Sequence, residues 1–194
     1  MSLVTTNKIH ILFSVESLDT VFGEPQVPIL RSPQREDAWC YAACTQMVIE
    51  TVIPEQIVQQ CEIASFVKQT ECCNDLPGDC TDSGCQKNEI SSIFTHFQVA
   101  FEGSNFAPPL EIGPITLDDV RDEIEAQRPV MIVIDWAGGQ SSHAVLINGV
   151  IDDQVHVIDP LPDNPYGGWH LYSHVLNGFS SGQWDRTWHF LRRI

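Results

Sequence analysis

Between positions 34 and 48 the chain reads Gln-Arg-Glu-Asp-Ala-Trp-Cys-Tyr-Ala-Ala-Cys-Thr-Gln-Met-Val. From Cys40 onward its apolar and small residues recur at steps of three and four, on Cys40, Ala43, Cys44, Met47, Val48 and Thr51. That period predicts a largely buried helix. Pro54 limits it, because the residue before a proline leaves the helical region. Asp37 is placed to cap its start. Cys40 then stands in the first turn, where unpaired backbone N–H groups and the positive end of the helix dipole favour a thiolate. Gln34, six residues upstream, is a neutral amide donor. A nucleophile at a helix start, with an amide donor just before it, is what acyl transfer through an oxyanion needs.

A lone cysteine is more often a buried small hydrophobe or a disulfide partner. The second half of the chain sets Cys40 apart. His143 opens the strand-like run His-Ala-Val-Leu-Ile-Asn-Gly-Val, and Asp159 closes Val-His-Val-Ile-Asp-Pro. Together they supply a base and a group to orient it. Both runs belong to a stretch rich in Val and Ile: residues 130–136, 144–150 and 155–158 read as antiparallel strands of one sheet, with a last strand near 187–191. Thr116 caps a helix over 117–127, and Asp118 and Asp119 sit favourably in its first turn as helix-end charges.

The first half is mostly helical. It holds a possible strand over 8–15, the Cys40 helix, and a short helix over about 54–64 with Ile57, Val58 and Cys61 on one stripe. A third helix, capped by Asn88, runs to about residue 98 with Ile90, Ile93, Phe94 and Phe97 inward and His96 off the stripe. The expected architecture is α+β in a single domain over residues 1–194: a helical N-terminal lobe to about residue 110 carries the nucleophile, and an antiparallel β-sheet lobe over 111–194 carries the histidine and the aspartate. A cleft between two such halves is a natural site.

The hairpin joining His143 to Asp159 imposes a condition. A two-residue loop on Asp152 and Asp153 points the two side chains to opposite faces. A three-residue loop, or a bulge, sets Asp159 opposite Val145 and makes His143 its diagonal neighbour on the same face.

The net charge is −16, from 26 acids against 10 bases spread along the chain. Such a surface argues against nucleic acid and anionic membrane, both of which need basic patches. No run approaches the ~18–20 apolar residues of a membrane span. The apolar run 9–15 lacks the basic flank and the small-residue cleavage site of a signal peptide. There are 7 cysteines. Cys72, Cys73, Cys80 and Cys85 crowd into the polar segment 70–86, which lacks apolar residues to hold it in place. Cross-links would supply that constraint and imply an oxidising compartment, secreted or periplasmic. With Cys40 set aside, six cysteines remain for three bridges, or Cys44 is a reduced core residue. The pairing is open. Structural zinc is the competing reading of the cluster, disfavoured by the absence of a Cys-x-x-Cys pair.

Taken together these residues resemble the papain-like cysteine proteases: Gln34 six before Cys40, an Ala-rich helix after the thiol, His143 in His-Ala-Val, and an acid 16 residues on. The third position is Asp159 followed by Pro160 and Leu161, where papain itself has Asn-Ser-Trp; Asp-Pro there is more like the peptidases that trim bacteriocin leaders. The run Trp39 to Ala43 with Gln46 and Met47 is similar to the secreted papain-like proteases that plant-pathogenic bacteria use as effectors. The segments Gln60 to Ala64 and Cys72-Cys73 fit bacterial relatives of that group. The glycines and upstream cysteine that precede papain's nucleophile are absent. The resemblance spans roughly residues 34 to 190. It implies a papain-like fold, a protein or peptide substrate, and hydrolysis through a thioester without cofactor or metal. Cys40 is then the nucleophile, His143 the base, Asp159 its orienter and Gln34 an oxyanion donor. A transferase or deamidase would use the same triad, and a non-catalytic, disulfide-stabilised interaction protein is the reading from another class.

Overall fold

In the computed structural model, residues 25–73, 80, 86–103, 113–139 and 141–194 are described. The possible strand over 8–15 and Cys85 lie outside them. Helix α1 (Cys40–Val52) buries nine of its thirteen residues, from Cys40 to Ile49, and stops two residues before Pro54. Its small Ala and Cys side chains let it lie close against its neighbours. Its N-cap residue is Trp39, with no side-chain cap. Asp37 therefore does not cap it: the helix begins three residues after Asp37, too late for that carboxylate to serve the second and third amides of the first turn.

Helix α2 (Gln60–Lys68) starts six residues later than the stripe around Val58 suggests. Pro54 opens a turn, not a helix, and Ile57 is 85% exposed while Val58 and Cys61 are buried. The start is set by the Gln59 N–H, which donates to the Glu62 carboxylate at 2.7 Å. Helix α3 (Ile90–His96) buries Ile90, Ile93 and Phe94. Its N-cap residue is Glu89; Asn88 instead accepts a hydrogen bond from Arg186 Nη1 at 2.8 Å. His96 is exposed and stacks on Phe66.

Six strands form one antiparallel sheet: β1 (Val99–Gly103), β2 (Val130–Trp136), β3 (Ser142–Ile151), β4 (Gln154–Ile158), β5 (Gly168–Leu171) and β6 (Gly182–Arg193), in the order β1-β6-β2-β3-β4-β5. β1 comes from before residue 110, within the stretch expected to form the helical lobe, so the sheet draws on both expected lobes. Helix α4 (Leu117–Glu125) is capped by Thr116, whose Oγ1 accepts from the Asp119 N–H at 3.1 Å while the Asp119 carboxylate accepts from the Thr116 N–H at 3.0 Å. A short helix α5 (Tyr172–Leu176) follows β5.

Both faces of the sheet are covered. Met131, Val133, Ala144, Leu146 and Trp188 pack with α1, α2 and α3 on one side. Val130, Ile132, Ile134, Val145 and Ile147 pack with α4, Val175 and Trp184 on the other. Burial on both faces explains why β2 and β3 read as continuous apolar runs without polar alternation. Each Val, Leu, Ile or Met side chain among these contributes about 1.5–3 kcal/mol when removed from water.

The β3–β4 hairpin meets its condition by a bulge. Ile151 pairs with Gln154 around a two-residue turn, and the register shifts between Ile147↔Val157 and Gly149↔His156, leaving Asn148 as the extra residue. Both ends of its amide are engaged: Nδ2 donates to the Val27 carbonyl at 2.9 Å, and Oδ1 lies 2.7 Å from His156 Nδ1. Gly149 follows it because a Cβ there would stand 3.0 Å from the His156 Cβ and 3.2 Å from the Trp169 ring.

Cys61 pairs with Cys73, and Cys72 with Cys80. Cys40 and Cys44 remain thiols. Cys44 is thus the reduced core residue, and Cys72, Cys73 and Cys80 of the cluster read for zinc are committed to sulfur–sulfur bonds. Among the described residues no group of three potential metal ligands converges, and no helix is long and apolar enough to cross a membrane.

Candidate active site

Cys40 is the first residue of α1 and 3% exposed. Its backbone N–H belongs to the turn where a helix offers no internal acceptor. Trp39, packed beside it, donates its indole N–H to the Cys80 carbonyl at 2.8 Å. The disulfide-held segment therefore fixes the residue that precedes the thiol.

His143 is the second residue of β3, paired with Ile134 of β2. Asp159 follows β4 directly and is fully buried. Because of the bulge at Asn148, the two meet: His143 Nε2 lies 2.7 Å from Asp159 Oδ1. The Cys40 side chain hydrogen-bonds the same ring, and with Nε2 engaged by Asp159 the nitrogen left for it is Nδ1. The structure thus brings Cys40, His143 and Asp159 together across the boundary between helix and sheet.

The Asp159 carboxylate has a full set of donors. Oδ1 also accepts from the Leu161 N–H at 2.9 Å, and Oδ2 accepts from the Tyr166 N–H at 3.1 Å. Burial pushes its pKa up, but these bonds and the imidazolium charge outweigh burial and leave it below the ordinary carboxylate value. For His143, burial favours the neutral ring. The hydrogen bonds to Asp159 and Cys40 and the charges of both reverse this and lift its pKa from 6.5 to about 9. An imidazole held charged beside a thiol is the arrangement that stabilises a thiolate.

One turn further along α1, Cys44 is in a contrasting environment. Burial, then the proximity of Cys40 and Asp159, push its thiol well above its usual range. It donates to the Ala144 carbonyl at 3.3 Å and joins helix to sheet as a small apolar residue.

Gln34 is buried beside the same turn, but its amide is committed. Nε2 donates to the carbonyls of Glu36 at 2.9 Å and Asp37 at 2.6 Å, and Oε1 has no partner among the described residues. Its backbone N–H donates to the Pro160 carbonyl at 2.8 Å. Gln34 is therefore near the thiol in sequence and tied to the Asp159 loop in space, with both amide hydrogens engaged.

Two aromatic rings that sequence reasoning left unassigned wall the base. Trp136 lies nearly parallel to the His143 ring at a centroid distance of 6.3 Å, and Tyr166 lies at 6.1 Å. Trp136 also opens a cleft of about 340 Å³ lined by Asp135, the turn from Ala137 to Gly139, Gly182 and Gln183. At its edge Lys87 Nζ grips both oxygens of Asp135 and reaches Asp185 at 3.0 Å. Nothing in the sequence pattern distinguishes Trp136 from the buried core tryptophans Trp184 and Trp188. Three other histidines have packing roles: His156 bonds Asn148 and meets the Trp169 ring edge-on, and His170 and His174 surround Phe179.

The sequence model of a family described as papain-like cysteine protease AvrRpt2 matches residues 21–173. No curated protein matches the sequence. Two solved structures share the fold. The peptidase domain of Streptococcus ComA, a bifunctional ABC transporter involved in quorum sensing, is 14% identical, with a TM-score of 0.59 over 87% of this chain and 99% of that one. A putative C39-like peptidase from Bacillus anthracis is 12% identical, with a TM-score of 0.56 over 88% of this chain and 97% of that one.

Proposed function

The chain belongs to the family of the papain-like cysteine protease AvrRpt2, and from that premise we propose that it hydrolyses peptide bonds through Cys40, His143 and Asp159. The observation that carries this reading is the His143 ring, engaged by Asp159 on Nε2 and by Cys40 on its other side. His143 takes the Cys40 proton. The thiolate adds to the scissile carbonyl carbon, and the C–N bond breaks as the imidazolium gives its proton to the leaving amine. A thioester remains. Water adds to it, losing a proton to His143, and the acid leaves as the thiol is restored.

Asp159 holds the tautomer and the orientation of the ring. The Cys40 backbone N–H faces the oxyanion as part of the helix start. Gln34 joins it by turning one amide hydrogen away from the Glu36 or Asp37 carbonyl. Because His143 must protonate the leaving amine, the residue after the scissile bond lies on the His143 side, toward the cleft opened by Trp136. The two disulfides support action in an oxidising compartment, such as outside the cell.

Cleavage of a mixed peptide library by the wild-type chain, followed by mass spectrometry, tests the reading. Cleavage that disappears in Cys40→Ala and falls on the order of 100-fold or more in His143→Ala supports it. Ammonia release or amine incorporation without new peptide termini identifies a deamidase or transferase with the same residues. Full cleavage by Cys40→Ala overturns the assignment.

A further inference from the structure

We propose that Arg31 is a positioning residue for the catalytic pair, holding the loop that carries Asp159 in the one shape that keeps the carboxylate against His143. This rests on the triad reading above. The observation is a lacing between two short segments. Arg31 Nε donates to the Asp159 carbonyl at 2.9 Å, and Nη2 donates to the Leu161 carbonyl and to the Pro162 carbonyl at 3.3 Å. The Gln34 N–H donates to the Pro160 carbonyl at 2.8 Å. Four successive carbonyls, from residue 159 to residue 162, are thus served from residues 31 and 34.

The loop does this for itself at one point only, where the Asn164 N–H donates to the Leu161 carbonyl at 2.9 Å. Pro160 and Pro162 have no N–H to offer, and the Leu161 N–H is spent on the Asp159 carboxylate at 2.9 Å. The carbonyls of residues 159, 160 and 162 are therefore met from residues 31 and 34, and that of Leu161 is shared between Arg31 and Asn164. A guanidinium presents several donors in a fixed plane, which suits a row of carbonyls; an ammonium presents a point charge. The consequence reaches the chemistry. The Leu161 amide that cradles Asp159 is part of the stretch Arg31 pins, the Tyr166 amide closes the same loop four residues further on, and Asp159 in turn orients His143. Arg31 is nine residues before Cys40, so the same strap joins the approach to the thiol with the loop behind the base.

The test compares wild type, Arg31→Ala and Arg31→Lys by steady-state kinetics and by an NMR pH titration of the His143 ring. Arg31→Ala is expected to lower kcat on the order of 10–100-fold with little change in KM, the scale of a small misplacement of a reacting group. The His143 midpoint is expected to move down from about 9 toward 6.5. Guanidinium at non-denaturing concentration restores part of the loss in Arg31→Ala and does nothing for wild type. Arg31→Lys, which keeps the stem and the charge, also shows the lowered midpoint and serves as the comparison should the alanine variant not fold. A lower melting temperature with wild-type kcat and an unmoved His143 midpoint overturns the proposal and leaves Arg31 a fold brace. The titration is independent of turnover, so it reads the positioning even if Cys40→Ala proves active and the hydrolase reading fails.

Discussion

Cys40 and Cys44 stand one helical turn apart and differ in almost everything that governs a thiol. Cys40 meets an imidazole held charged, whereas Cys44 meets apolar neighbours and a carbonyl. Iodoacetamide near neutral pH is therefore expected to modify Cys40 and spare Cys44, checked by peptide mass mapping of the native chain; equal labelling, or labelling of Cys44 first, contradicts the assignment of the nucleophile. The pH dependence has a definite sign. The ion pair persists while His143 keeps its proton, so activity should hold through neutral pH and fall on an alkaline limb near 9. In Asp159→Ala that limb should move to lower pH, because the first of the bonds raising His143 is gone. Gln34 gives a third test. Loss of an oxyanion donor typically lowers the rate on the order of 100–1000-fold, so Gln34→Ala should depress kcat by that order. A variant that loses stability but not kcat assigns the amide to the Glu36 and Asp37 carbonyls alone.

At the level of elements, the bulge at Asn148 is the device on which the site depends, because it reconciles a two-residue turn with His143 and Asp159 on one face. Asn148→Ala removes one buried and one part-buried hydrogen bond and is expected to destabilise the fold by about 1–3 kcal/mol, read as a shift in the urea midpoint at unchanged slope; no shift would mean that Val27 and His156 hold the bulge without it. The need for such a bulge was readable in the spacing of His143 and Asp159, but its place was not, since Asn-Gly looks like an ordinary turn signal inside a strand. Strand β2 was readable to the residue because Val130 to Ile134 is an unbroken apolar run and Gly138 and Gly139 follow Trp136 closely. Helix α2 was misplaced because Pro54 resembles a first-turn proline, whereas the true start is a Gln59–Glu62 bond four residues wide. β1 and β5 were unseen: each is five residues or fewer, and the sheet edge supplies their order, not their own composition. Cys40, His143 and Asp159 stood out because their chemistry is in their side chains. Gln34 stood out by its spacing to Cys40, but not its ties to the Glu36, Asp37 and Pro160 carbonyls; those ties, Arg31 and the Tyr166 N–H act on or through backbone groups that no sequence pattern encodes.

For the molecule as a whole, the buried pair at the seam of helix and sheet makes stability depend on pH in two directions. His143 has its folded pKa raised from 6.5 to about 9, so its contribution is fully present below 6.5 and is lost as pH rises toward 9. Asp159 is shifted the other way: its contribution is present above 3.8 and is lost as pH falls through its depressed value. The net charge of −16 reinforces the alkaline loss, since deprotonating His143 adds to an already self-repelling surface. Melting temperature should therefore be greatest between about 3.8 and 6.5 and should decline from 6.5 to 9. The decline belongs to one ring, so the control is specific. In His143→Ala the slope between 6.5 and 9 should flatten, and the loss on the acid side should shrink, because Asp159 loses the cation that helps hold its pKa below the unfolded value. Differential scanning calorimetry of both chains across that range checks it, and an equal alkaline slope in the two would place the loss in surface charge and not at the seam.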